Sequence, residues 1–399
     1  MKLLDLKYIK IIRFFFDSLS FIIGNLVPIN KNLVLLHGST VSSYNESTRY
    51  LYEYLLVNSD LSVLWMTDSI VVQEHLKSLG RPCVMHRSVN GFWHYVRAGV
   101  VIGNGTSYPT LLKFTGLSTI KICLHHGMGP RSTNSADEKR IKNSFKILKS
   151  YSKFDYFNFT SKHTSATVGR LQFLIPKSKR IIFGLPRCDH LFNKNYVINA
   201  NQEKPLLKSL NYQLKKNTKC ILYSPTWRPR SNPLSFPLSL LRDFDLINFD
   251  KWLDKNDILL LISVHPLMDD FEDFSNCANI CYLTKNPIID INQIIPEIDL
   301  LISDYSSIAT DYMLLNRPVI YVMPDYFYYL YDFGLLEDMR ENLPGLEAES
   351  LIELQSYILR SLENPQEMNN ARVKYLNKYY DVNNTNSCEN ITKFIESLV

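Results

Sequence analysis

A chain of 399 residues is longer than one hydrophobic core usually supports, so two domains are expected. With 46% hydrophobic and 21% charged residues, the composition is that of an ordinary globular protein, which excludes extended disorder and a multi-span membrane protein. The formal charge of +5 comes without a dense Lys/Arg tract, so nucleic acid is not an expected partner, and an anionic substrate or membrane surface accounts for the charge.

Residues 1–30 differ from the rest of the chain. Tyr8, Ile11, Ile12, Phe15, Leu19 and Ile22 recur on one face of a helix, with Lys10, Arg13 and Asp17 opposite and Phe14 and Phe21 blurring the polar side. These charges interrupt the apolar run short of the ~20 residues needed to span a bilayer, and no small-residue cleavage site marks a signal peptide. The expectation is an amphipathic helix lying in the membrane interface. A helix packed on the body of the protein is the other reading.

From residue 33 on, short apolar runs alternate with segments long enough for a helix. They are LVLLHG (33–38), LSVLWMTD (61–68), VVIGNG (100–105), IKICLHHG (120–127), DYFNFTS (155–161) and RIIFGLPRCD (180–189), then CILYSPTWR (220–228), ILLLISVHP (258–266), NICYLT (279–284), LLISDYSS (300–307) and PVIYVMPD (318–325). Continuous apolar strands between helices read as parallel sheets buried on both faces, the doubly wound α/β class. Two sets of similar size predict two Rossmann-like domains facing a cleft, at residues 31–200 and 201–399. The Asn-rich stretch 193–204 is the expected linker, a helix is expected over 205–216, and the last stretch, from about 365 to 399, reads as helical and able to pack across both domains.

The seven cysteines are scattered and odd in number, which points to reduced thiols rather than a disulfide framework. Cys277 and Cys281 lack a second Cys/His pair at zinc spacing and read as small buried thiols. Asp243 and Asp245 form an Asp-x-Asp, but in a connecting segment, where a solvated turn is expected. The residues therefore require no cofactor, and they leave divalent-metal dependence open.

In open parallel sheets, ligands bind outside the carboxyl ends of the strands, and polar residues collect there in both halves. In the second half, Ser306 and Ser307 fall where a helix starts after a strand, and free N–H groups at such a start favour phosphate. Asp311 follows one turn later, where it can accept hydroxyl groups of a ribose or polyol. An ordinary N-cap is the alternative for this segment. His265, fixed by Pro266, can donate to a phosphate oxygen or move a proton, or it can be a loop histidine with its bonds satisfied. Thr226, Arg228 and Arg230 end another strand, and arginine's planar fork suits phosphate oxygens. In the first half, His126 directly precedes Gly127 and can act as base on a hydroxyl, with Gly127 and Gly129 allowing close backbone approach. One of His125 and His126 being structural is the competing reading. Arg187 and Asp189 end the last strand of that half, at the expected cleft edge. No Walker loop, GxGxxG or GxSxG elbow occurs.

In combination, His126-Gly127, Gly184-Leu-Pro-Arg187-Cys-Asp189, Ser224-Pro-Thr226-Trp-Arg228, Val264-His265-Pro266 and Ser303-Asp-Tyr-Ser-Ser307 with Asp311 and Arg317-Pro318 resemble the CDP-glycerol glycerophosphotransferase family of teichoic-acid polymerases and primases, over about residues 30–380. The resemblance implies a glycosyltransferase-B-like fold, a nucleotide site in the C-terminal domain and an acceptor site in the N-terminal one. It also implies a peripheral location on the cytoplasmic face of the cell membrane, with a CDP-polyol donor and a polyol-phosphate or polyprenyl-linked acceptor. His126 is then the base on the acceptor hydroxyl, His265, Ser306 and Ser307 hold the donor diphosphate, and Arg228 adds positive charge. Where the family usually continues Thr-Pro-Leu-Lys after the His-Gly pair, this chain has Met128-Gly-Pro-Arg131, a departure on the acceptor side. A nucleotide-sugar glycosyltransferase of the same fold and an inactive polymer-binding protein at the membrane are the competing functions.

Overall fold

The computed structural model describes residues 22–105, 115–125, 127–130, 148, 151–192, 204–210, 212, 214–215, 217–228, 237–263, 273–283, 288–381 and 386–399. Residues 1–21, His126, Arg131, Arg230 and His265 lie outside the described residues, as does most of the expected linker.

Two parallel sheets organise the chain. The first contains β1 (Asn30–Leu36), β2 (Ser62–Thr67), β3 (Cys83–Met85), β4 (Ala98–Gly103), β5 (Ile120–Cys123), β6 (Tyr156–Phe159) and β7 (Arg180–Ile182), in the order β3-β2-β1-β4-β5-β6-β7. The second contains β8 (Lys219–Ser224), β9 (Ile258–Ile262), β10 (Ile280–Tyr282), β11 (Leu300–Ser303), β12 (Val319–Tyr321) and β13 (Leu346–Glu347), in the order β10-β9-β8-β11-β12-β13. All eleven expected strands are present. The two further ones, β3 and β13, are Cys-Val-Met between Pro82 and His86 and Leu-Glu after Gly345, so neither forms an extended apolar run.

The helices that bear on the site and the core are α1 (Glu46–Asn58), α2 (Leu246–Lys255), α3 (Ser307–Tyr312), α4 (Leu351–Glu363), α5 (Asn369–Tyr379) and α6 (Ser387–Leu398). The side chain of Asp245 caps α2 by accepting from Asn248 N–H at 2.9 Å, which gives the Asp-x-Asp a local structural role. Among the described residues of the helix expected over 205–216, Pro205–Ser209 are helical.

Alternation along the central strands explains why their sequences are apolar throughout. Leu33 and Leu35 of β1 face one core with Val101 and Phe159, while Val34 and Leu36 face another with Leu51, Tyr52 and Leu55 of α1. In β8, Cys220 and Leu222 point to one side and Ile221 and Tyr223 to the other. Both faces of each sheet are therefore covered, and these central positions are driven inward by loss of apolar surface from water. The chain ends by crossing back. Tyr379 and Tyr380 pack in the second half, whereas Cys388, Ile391 and Ile395 of α6 complete the core beside α1. The terminal helices thus divide between the two halves. No described helix is long and apolar enough to cross a membrane.

Strand order reverses between β1 and β4 in one sheet and between β8 and β11 in the other. Those two switch points open the crevices where ligands settle in this architecture. The segments leaving β1, β8 and β11 carry Glu46, Thr226 with Arg228, and Asp304 to Ser307, and the loop after β5 carries Gly127 and Gly129.

Candidate active site between the two sheets

The loop after β5 meets the start of α3 directly. A methyl group at Gly127 would fall 2.3 Å from Ser307 Oγ and 3.3 Å from Arg187 Nη2, and one at Gly129 would fall 3.1 Å from Ser307 Cα. Gly127 also has φ +142°, a backbone conformation costly for any side chain. Of the sequence-identified residues, Gly127, Ser307, Arg187 and Asp311 are therefore brought together. Ser306 precedes α3 without a side-chain capping bond, and both serines are half-buried. Gly127→Ala is expected to reduce turnover by at least about tenfold, because Ser307 must move, with Gly129→Ala milder. Steady-state rates of the two variants check this ordering.

Arg187 joins three elements. Its Nε and Nη2 donate to Asp311 Oδ2 at 3.0 and 2.7 Å, and its Nη1 pairs with the Glu46 carboxylate at the start of α1. The hydroxyl of Tyr380 donates to the second Asp311 oxygen. Asp311 is buried with both oxygens engaged inside the protein, rather than presented to a ribose or polyol. Glu46 was not apparent from sequence. It is a single acidic residue at a helix start, and only its place past the end of β1 marks it. Burial, Asp290 and Asp311 together push its carboxyl up to about 7 against the opposing pull of Arg187. Further contacts link α1 to the second half. Arg49 donates to Ile288 O at 2.8 Å and Gln293 Oε1 at 2.7 Å, while within the first half Tyr50 stacks on His190 with ring centroids 5.3 Å apart.

Thr226 and Arg228 lie beneath this surface. Thr226 N–H and hydroxyl donate to Asp304 Oδ1 at 2.7 and 2.6 Å. Arg228, with no exposed surface, donates from Nη1 to Asp304 at 2.7 Å and from Nε and Nη2 to Asp325 at 2.8 and 2.9 Å. Tyr305 adds a hydroxyl donor to Asp325 at 3.1 Å. The network ties the loop after β8 to Asp304, two residues before Ser306, so both side chains shape the serine turn from below. Sequence reading misses Asp304 as the shared acceptor because its partners are 76 to 78 residues away.

Asp189 faces away from the cleft. It accepts from the N–H groups of Ser387 and Cys388 at 2.9 and 2.8 Å and so anchors the start of α6. His125, with φ +62°, is buried, its ring 5.9 Å from that of Phe173.

This arrangement can hold an anion at the serine turn and present a neighbouring loop group to it. Comparison with known proteins gives the family. The family described as CDP-glycerol:poly(glycerophosphate) glycerophosphotransferase matches residues 19–397. The chain is 26% identical over 341 residues to a teichoic acid poly(glycerol phosphate) polymerase of Bacillus spizizenii, covering 82% of this chain and 83% of that protein. It is 25% identical over 393 residues to a teichoic acid glycerol-phosphate transferase of Staphylococcus aureus, covering 92% and 93%. A solved structure of the wall teichoic acid polymerase TagF shares the fold, with a TM-score of 0.75 at 20% identity over 96% of this chain and 92% of that one.

Proposed function

Because the chain belongs to the CDP-glycerol:poly(glycerophosphate) glycerophosphotransferase family, we propose that it moves glycerol phosphate, or a related polyol phosphate, from a CDP-activated donor to a hydroxyl of a cell-surface polymer or its lipid-linked precursor. The acceptor oxygen bonds to the β-phosphorus, the bridging P–O bond breaks, and CMP leaves. The hydroxyl proton passes to a base, for which His126 is the candidate. His265, Ser306 and Ser307 hold the donor diphosphate and stabilise charge on its oxygens as the bond breaks. Arg228 and Thr226 act through Asp304 as positioning residues for that turn.

The observation that carries this reading is the contact of Gly127 and Gly129 with Ser307. It sets the residue after His126 against the donor-side turn, as a direct transfer between two bound substrates requires. Incubation of purified protein with CDP-glycerol, CDP-ribitol and a set of sugar nucleotides, with a polyol-phosphate acceptor, is expected to release CMP from a CDP-polyol. Turnover of a sugar nucleotide alone, or of none, overturns the assignment.

The cytoplasmic membrane face is the proposed site of action, with residues 1–21 as the interfacial element and a polyprenyl-linked acceptor drawn from the same surface. Asn25 Oδ1 accepts from Leu117 N–H at 2.9 Å, so the helical turn that follows is held to the body. Removal of residues 1–21 is expected to shift the protein to the soluble fraction while turnover of a soluble acceptor persists. An unchanged membrane fraction counts against the interfacial element.

A further inference from the structure

The guanidinium of Arg187 makes two kinds of pair. Its contact with Asp311 is buried on both sides, with side-chain exposures of 3% and 2%, and is reinforced by Tyr380. Its contact with Glu46 is not symmetrical with this, because the Glu46 side chain retains 21% of its exposure. Glu46 thus lies between Nη1 of Arg187 and solvent, on a guanidinium whose Nη2 is approached by Gly127. Its backbone sits at φ +66°, a left-handed conformation that a non-glycine residue holds at a cost.

The charges facing Glu46 are unbalanced. Arg187 approaches from the segment Pro186–Phe192. Asp311 approaches from α3, and Asp290 accepts the Glu46 N–H from the second half. On α1 itself, Arg49 is turned to Ile288 and Gln293. Two carboxylates therefore share one guanidinium, Asp290 adds a third negative charge beside Glu46, and Glu46, the outer member of the pair, occupies a strained position.

We propose that Glu46 and a substrate phosphate compete for Nη1 of Arg187, so that Arg187 is an anion site that Glu46 covers and a phosphate oxygen takes over during turnover. The Asp311 pair stays in place and holds the guanidinium plane. A phosphate bound there lies beside Gly127 and the serine turn, at the meeting point of donor and acceptor. The inference rests on the transferase reading, in which donor diphosphate and acceptor phosphodiester both supply such oxygens.

The test uses the full chain with Glu46→Gln and Glu46→Gly, the second of which accepts the left-handed backbone without strain and should fold at least as well, as its melting temperature will show. At pH 8 both variants are expected to lower KM for one phosphate substrate about fivefold. At pH 6 the difference is expected to close, because the wild-type carboxyl, with its pKa near 7, is then largely protonated and no longer competes. A lower KM for the CDP-polyol assigns the phosphate to the donor, and a lower KM for the polymer assigns it to the acceptor. Unchanged or raised KM values for both overturn the proposal, as does a kcat loss that does not vary with pH, the signature of a purely structural pair. If wild-type protein turns over no CDP-polyol, the transferase reading fails by itself. Calorimetric titration with inorganic pyrophosphate at pH 8 then decides, with tighter binding to Glu46→Gln supporting the covered site and equal or weaker binding overturning it.

Discussion

Replacing Arg228 by Met is expected to destabilise the C-terminal half by about 3–5 kcal/mol, because two buried carboxylates lose their shared cation. Asp304 and Asp325 are both almost fully buried, and Arg228 supplies three hydrogen bonds between them. The variant keeps side-chain volume, so packing loss is small and the effect reports the charges. Arg228→Lys is expected to recover only part of it, since an ammonium cannot reproduce the planar fork that reaches both partners. Urea unfolding of the two variants measures the cost. The opposite pattern, unchanged stability with a selective rise in donor KM, indicates that the guanidinium contacts substrate instead of supporting the turn.

His126→Ala and His265→Ala are each expected to lower kcat by at least ~10²-fold, the range for a positioned acid–base or donor group. Both side chains lie outside the described residues, yet the chain on either side gives the expectation physical content. Gly127 follows His126 and lies against Ser307. Ser263, two residues before His265, donates its N–H to Tyr223 O at 2.9 Å and so continues the end of β9 beside β8, at the crevice edge. If the two groups serve one transfer step, the double variant loses little more than the worse single one. Measured CMP release for the three variants tests this, and fully additive losses argue for separate steps.

Much of the fold was legible because buried parallel strands carry a strong local signal. β1, β8, β9 and β11 read as unbroken apolar runs, since alternate residues enter two different cores. β3 and β13 gave no such signal, because Cys83–Met85 is bounded by Pro82 and His86 and Leu346–Glu347 has a single apolar residue. The site was legible in part for the same local reasons. Gly127 and Gly129 announce a close backbone approach, and the helix start at Ser307 follows from the strand before it. Arg228 announces charge but not its direction, and long-range pairing with Asp304 and Asp325 turned it inward. Asp311 and Asp189 were taken up in the same way, by Arg187 with Tyr380 and by the start of α6.

By itself, then, the order of residues determined eleven of the thirteen described strands, where those strands end, and that hydroxyl, imidazole and guanidinium groups gather at those ends. Apolar runs and turn residues act over a few positions, and that reach suffices for all three. The partners of the buried charges were decided only in the tertiary structure, within the second half for Arg228 and across both halves for Arg187. Burial made an unpaired charge costly, so each had to be matched from residues distant in the chain. Arg187 spans 141 residues to Glu46 and 124 to Asp311, and no local pattern records such a match.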